Sequence, residues 1–191
     1  ACPERGRSAL DAAELTNVAV NYLREHVPDH VRMHYVYTNA GEKPNVVPDY
    51  AGLWYFVRAR DAETVRDADA RVILAAQGAA MATQTTVETQ ELTFSPETKI
   101  NHTLCRVMKA VFDELGAAKF TPEEHAFGEA LRRVLALPEN GPALREDILP
   151  LTGEVRHVTG STDVSIVSQI VPVVTLNTVC QVSGAPGHHW G

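Results

Sequence analysis

The spacing of apolar positions opens the chain on a helix. Leu15, Val18, Ala19, Tyr22 and Leu23 form a helical stripe within residues 8–26, Ser8 and Asp11 give a capping start, and Pro28 ends it. The pattern then shifts to alternation in VRMHYVY (31–37) and AGLWYFVRA (51–59), which predicts two strands joined by a structured loop with two prolines and a glycine. A second helix is predicted over 62–83, with Asp61 as its N-cap and Val65, Ala68, Val72, Ala76 and Ala79 on one face. TTVETQELTFS (85–95) predicts a third strand. The order α-β-β-α-β is a ferredoxin-like βαββαβ layer without its first strand.

Beyond Pro96 the character changes. Ile100, Leu104, Val107, Val111, Phe112 and Leu115 predict a helix closing at Gly116, and Thr121-Pro-Glu-Glu124 starts another with a capping box. Residues 136–151, with three prolines, predict a loop. After GSTD (160–163) comes VPVVTLNTVCQV (171–182), which predicts a buried strand. The expected boundary therefore lies near 97, between an α+β module and a helix-rich remainder.

Totals change this picture little. A chain of 191 residues with 45% hydrophobic and 21% charged residues is globular, and a net charge of −7 argues against nucleic acid or an anionic membrane as partner. Cys2, Cys105 and Cys180 are odd in number and far apart, which suits a reducing cytoplasm better than a disulfide framework; Cys105 and Cys180 lie in apolar patterns expected of core thiols. No apolar run is long enough for a membrane span, and residues 1–11 lack the apolar core of a signal peptide.

Candidate chemistry is sparse. His188 and His189 stand in the glycine- and proline-rich GAPGHHWG, but neighbouring side chains point apart, so at most one suits a given metal ion; two loop histidines without a role are the alternative. Asp163 suits a helix cap or a site carboxylate. Asn45, between Pro44 and Pro48, is either a local turn residue or a loop-borne amide donor. Arg58 shares a strand face with Trp54 and Phe56, and His34 within its strand looks structural. Nucleophile-elbow, P-loop, dinucleotide and H-E-x-x-H motifs are all absent from the sequence.

Four stretches in order, PERGRSALDAAELTNVAVNYLREHV, NAGEKPNVVPDYAGLWYFVRA, GSTDVSIVSQIVPVV and GAPGHHW, carry a resemblance over nearly the whole chain. Together they resemble the aminoacylase/carboxypeptidase family of metal-dependent amidohydrolases, closest to its p-aminobenzoyl-glutamate hydrolase branch. The resemblance implies an α/β protein in two parts. Residues 1–97 would be a ferredoxin-like lid and dimerisation domain, and residues 98–191 part of a zinc-peptidase-like catalytic domain. It implies hydrolysis of an amide in an N-acyl or p-aminobenzoyl amino acid by a metal-activated water, with two zinc or manganese ions in the complete site. His188 falls on the family's last metal ligand and His189 on a variable position beside it. Asn45 matches a substrate-binding asparagine that reaches across a dimer, and Arg58 a recurrent strand arginine, expected with Asn45 to bind the substrate. Asp163 matches a supporting acidic residue. No catalytic residue is carried over, because the general base and the other ligands fall on segments preceding residue 1. The chain is thus expected to be an internal piece, homodimeric through its lid, with a second subunit left open. The competing expectation is a non-catalytic dimerisation or ligand-binding module.

Overall fold

The computed structural model describes residues 2–155, 157–158 and 160–187. The architecture is mixed α/β: helices with a two-stranded antiparallel sheet. Contacts divide it into two compact units, residues 1–97 with 157–166, and residues 98–156 with 167–191.

In the first unit a short 3-10 turn, Pro3–Arg5, precedes α1 (Ala9–Leu23). Ser8 caps α1 as its hydroxyl accepts the Asp11 N–H at 3.1 Å, and a 3-10 turn over Arg24–His26 finishes it. The strands β1 (Arg32–Asn39) and β2 (Gly52–Arg58) pair in antiparallel register, Tyr35 opposite Tyr55. Gly52 is required at the loop end, because a Cβ there would meet the Thr38 hydroxyl at 2.3 Å. α2 (Ala62–Thr83) starts at Asp61, whose carboxylate accepts the Thr64 N–H at 2.8 Å. Val20 of α1, Val31 and Met33 at β1, and Ala68 and Val72 of α2 close into one core, with Tyr55 and Val57 of β2 packed against it. The helices therefore cover one face of the hairpin. On that face Asn17, buried within α1, donates from Nδ2 to the Tyr37 hydroxyl at 2.9 Å and accepts from the Tyr55 hydroxyl. Burial and the neighbouring Tyr35 raise the Tyr55 phenol above its ordinary pKa, so it stays a neutral donor.

The second unit holds α3 (His102–Leu115) and α4 (Pro122–Val134). Asn101 caps α3, and α4 carries the full capping box: Thr121 Oγ1 accepts the Glu124 N–H, and the Glu124 carboxylate accepts the Thr121 N–H. Loop 136–151 folds back on α4, where buried Arg132 donates to the Gly141 carbonyl at 2.5 Å and to Glu129 at 2.6 Å. Glu129 also accepts the Ala143 N–H at 3.1 Å. The five-residue α5 spans Val164–Ser168.

Two expected strands do not form. Residues 85–95 and 171–182 have strand-like sequences but no regular structure. A strand needs a neighbour for its N–H and C=O groups. In a βαββαβ layer the last strand lies beside the first, and among the described residues neither segment finds a strand to pair with. Cys180, expected in the core, is accordingly exposed, and Cys105 is partly buried. Among the described residues, no helix is long and apolar enough to cross a membrane.

Candidate functional site

The strand period of two sorts the hairpin side chains onto two faces. Met33, Tyr35, Tyr55 and Val57 turn toward the helices. The other face carries three cross-strand pairs, Val36 with Trp54, His34 with Phe56, and Arg32 with Arg58. All six residues are exposed, and Trp54 and Phe56 each keep 47% of their surface in solvent. Their rings meet edge to face with centroids 5.2 Å apart and planes at 61°. The Arg58 guanidinium lies over Phe56, 5.6 Å from its centroid. Arg32 turns its own guanidinium to the Asp29 and Val31 carbonyls. Neither strand contains an aspartate or glutamate, although the chain as a whole is acidic.

Asn45 stands in the third position of a turn closed by the Val46 N–H on the Lys43 carbonyl at 3.1 Å, with Pro44 setting the turn before it. The turn leaves its side chain exposed. Asn45 and Arg58 lie at opposite ends of the hairpin, whose seven-residue β2 is about 20 Å long at ~3.3 Å per residue. Asp163 precedes α5 and is exposed; its carbonyl accepts the Ile166 N–H at 2.9 Å while its carboxylate accepts from the Thr162 hydroxyl at 3.3 Å. The structure thus sets Asn45, Arg58 and Asp163 on three separate segments. His188 and His189 lie outside the described residues.

One cluster escaped the reading of the sequence. Glu146, in the loop after α4, accepts from the Phe120 N–H at 2.8 Å, the His125 Nε2 at 3.1 Å and the Lys119 ammonium at 3.2 Å. These donors hold its carboxyl at about 2, against an ordinary 4.5, the backbone N–H contributing most. Glu146 also borders a concavity of about 660 Å³ with Pro142, Arg145, Asp147 and Ser183. A carboxylate so fully engaged is a poor proton acceptor, and Arg145 and Asp147 pair with each other. The cluster fastens the loop to the start of α4. Partners 21 to 27 residues apart, with no local motif, gave no signal in the sequence.

The metal implied by the resemblance was tested against the described residues. Among them no three His, Cys, Asp or Glu side chains gather closely enough to hold an ion, so they do not fit a metal centre by themselves.

No protein-family model matches the chain. Over 98% of its length it is 31% identical to a p-aminobenzoyl-glutamate hydrolase subunit of Escherichia coli (strain K12). The relatives it resembles are named as a hydrolase and as dipeptidases. An Xaa-Arg dipeptidase of Mus musculus is 28% identical over 90% of the chain, and one of Homo sapiens 33% identical over 45%. The chain spans less than half the length of these relatives: 44%, 33% and 20% respectively. The bacterial relative is, by its name, one part of a larger assembly.

Proposed function

We propose that this chain is part of a hydrolase that cleaves the amide of an N-acyl or p-aminobenzoyl amino acid, with p-aminobenzoyl-glutamate the first substrate to test. The observation that carries the reading is 31% identity along 98% of the chain to a hydrolase named for that compound. In the reaction the C–N bond breaks, the oxygen of water joins the acyl carbon, and the departing nitrogen gains a proton. A divalent metal, zinc or manganese, would activate that water in the complete enzyme.

The reading assigns binding work to this chain and no hydrolytic step. Arg58 offers a permanent cation on an exposed face and takes a carboxylate of the substrate. Asn45, exposed in its turn, offers an amide to the same substrate across a homodimer formed through residues 1–97. His188 supplies one metal ligand, with His189 and Asp163 supporting the site. Three free cysteines accord with a cytoplasmic setting. A second reading is that the chain alone is a dimerisation or ligand-binding module. It draws on the self-contained core of the first unit and on the exposed apolar residues Val36, Trp54 and Phe56 of its hairpin.

Hydrolysis of p-aminobenzoyl-glutamate with added zinc or manganese separates the two. The intact polypeptide containing this chain should hydrolyse it, with Arg58→Ala raising KM at least tenfold. An intact polypeptide that binds the compound and never cleaves it would support the module instead.

A further inference from the structure

Loop 136–151 holds the one asparagine of the chain that precedes a glycine, Asn140-Gly141. The loop conformation calls for that glycine. Gly141 has a φ of 86°, in the left-handed region, where a side chain is strained even with open space around it. The result is a bare backbone nitrogen beside a side-chain amide. Both residues are exposed, in irregular backbone. Among the described residues, neither the Asn140 amide nor the Gly141 N–H has a hydrogen-bond partner.

The other asparagines are shielded from this combination. Asn45 is exposed too, but the next residue is β-branched Val46, whose N–H is held by the Lys43 carbonyl at 3.1 Å. Asn177 precedes the β-branched Thr178. The Asn39 and Asn101 side chains accept the N–H of Gly41 and of Leu104, each at 2.9 Å. Asn21 accepts from Arg24 at 3.0 Å, and Asn17 is buried.

We propose that Asn140-Gly141 is a modification site, at which the folded protein deamidates and isomerises spontaneously, and that the product releases the loop from α4. The Gly141 nitrogen bonds to Cγ of Asn140 and gives up its proton, ammonia leaves Cγ, and a succinimide ring remains. Water then opens the ring. Addition at Cγ restores the ordinary main chain with an aspartate. Addition at the main-chain carbonyl leaves isoaspartate, whose chain runs through Cβ and Cγ and is one carbon longer. In either case one water is consumed, one ammonia is released, and a neutral amide becomes a carboxylate.

Position gives the longer chain its effect. The Gly141 carbonyl accepts from the Arg132 guanidinium at 2.5 Å, and Glu129 accepts from both Arg132 and the Ala143 N–H. Arg132 is buried, and its Nε already has no partner among the described residues. An extra carbon between residues 140 and 141 shifts the Gly141 carbonyl, and a buried cation loses an acceptor. A surface reaction thereby reaches the tie that fastens the loop to the helix. The inference stands on this unit alone and does not depend on the hydrolase reading.

Peptide mapping reads the reaction directly. Cleavage after Arg133 and Arg145 gives a peptide, residues 134–145, in which Asn140 carries the sole side-chain amide. The folded intact polypeptide, held in mildly alkaline buffer, should lose that amide about tenfold faster than those of Asn45 and Asn101, a barrier difference of about 1.4 kcal/mol. Isoaspartate should be among the products, as an isoaspartate-specific methyltransferase reports. Loss of the Asn140 amide no faster than that of Asn45, or loss confined to urea-unfolded material, overturns the proposal. Hydrogen exchange on the aged protein reads the second half: residues 140–143 should loosen while α1 stays protected. Freshly purified Asn140→Asp, which adds the charge without lengthening the chain, should keep that protection. Asn140→Gln should neither react nor loosen, because its longer side chain must close a less favourable six-membered ring. Isoaspartate-bearing protein that keeps the protection of residues 140–143 overturns the release of the loop. Equal loosening of Asn140→Asp, or of Asn140→Gln on the same incubation, overturns it as well.

Discussion

α1 and α3 are helices of nearly equal length, each with an apolar stripe, and they fare differently. α1 buries Ala13, Thr16, Asn17 and Val20 and joins α2 and β1 in a core. α3 has no fully buried residue: Cys105 and Phe112 are only partly covered, Val107 and Val111 remain exposed, and Leu115 keeps 79% of its surface in solvent. Cap and periodicity form a helix in both cases, but the stripe stabilises a fold only where a second apolar surface meets it. The first unit is held by hydrophobic burial. The second has few fully buried apolar residues, Ala143 and Val182, and adds polar ties, Arg132 with Glu129 and the Gly141 carbonyl, and Glu146 with three donors.

Core truncation should show the contrast at its largest. Met33→Ala, at a side chain 2% exposed, should destabilise the first unit by about 2–5 kcal/mol. Val107→Ala in α3 should cost less than ~0.5 kcal/mol, because the site is already in water. Denaturant melts of the two variants check this, and similar losses would erase the distinction. Next comes Arg132→Ala, which strips partners from Glu129 and the Gly141 carbonyl. It should cost about 1–3 kcal/mol, and hydrogen exchange should show residues 140–143 loosening while α1 stays protected.

The helices were legible in the sequence because their signals are local. Ser8, Asp61 and Thr121 cap as their spacing implied, although Asn101 was overlooked. The strands at 32–39 and 52–58 were legible for the same reason, being a hairpin whose partner is close in the chain. Segments 85–95 and 171–182 were misread because strand propensity describes side chains, whereas a strand exists only with its ladder. Alternation likewise placed Arg58 beside Trp54 and Phe56, while the Asn17–Tyr37–Tyr55 group and the Glu146 cluster depend on distant partners.

A pH titration probes the polar ties of the second unit. Glu146 has its folded pKa lowered to about 2, so the stability it lends is present above its ordinary 4.5 and drains away as the pH falls toward 2. In Glu146→Gln that part of the acid-side slope should vanish, as followed by thermal melts from pH 6 to 2. A slope unchanged by the substitution would remove Glu146 from the account. The smallest effect is expected at Ala136, which ends α4 with a φ of 50°. Ala136→Gly should relieve the left-handed strain and raise stability by roughly 0.5 kcal/mol, the relief slightly exceeding the added chain entropy.

The division of labour between binding and hydrolysis is tested most directly by assaying the purified 191-residue chain on p-aminobenzoyl-glutamate with zinc or manganese, beside the intact polypeptide. The account predicts cleavage by the intact polypeptide and none by the 191-residue chain. Metal-dependent turnover by the 191-residue chain alone would contradict it.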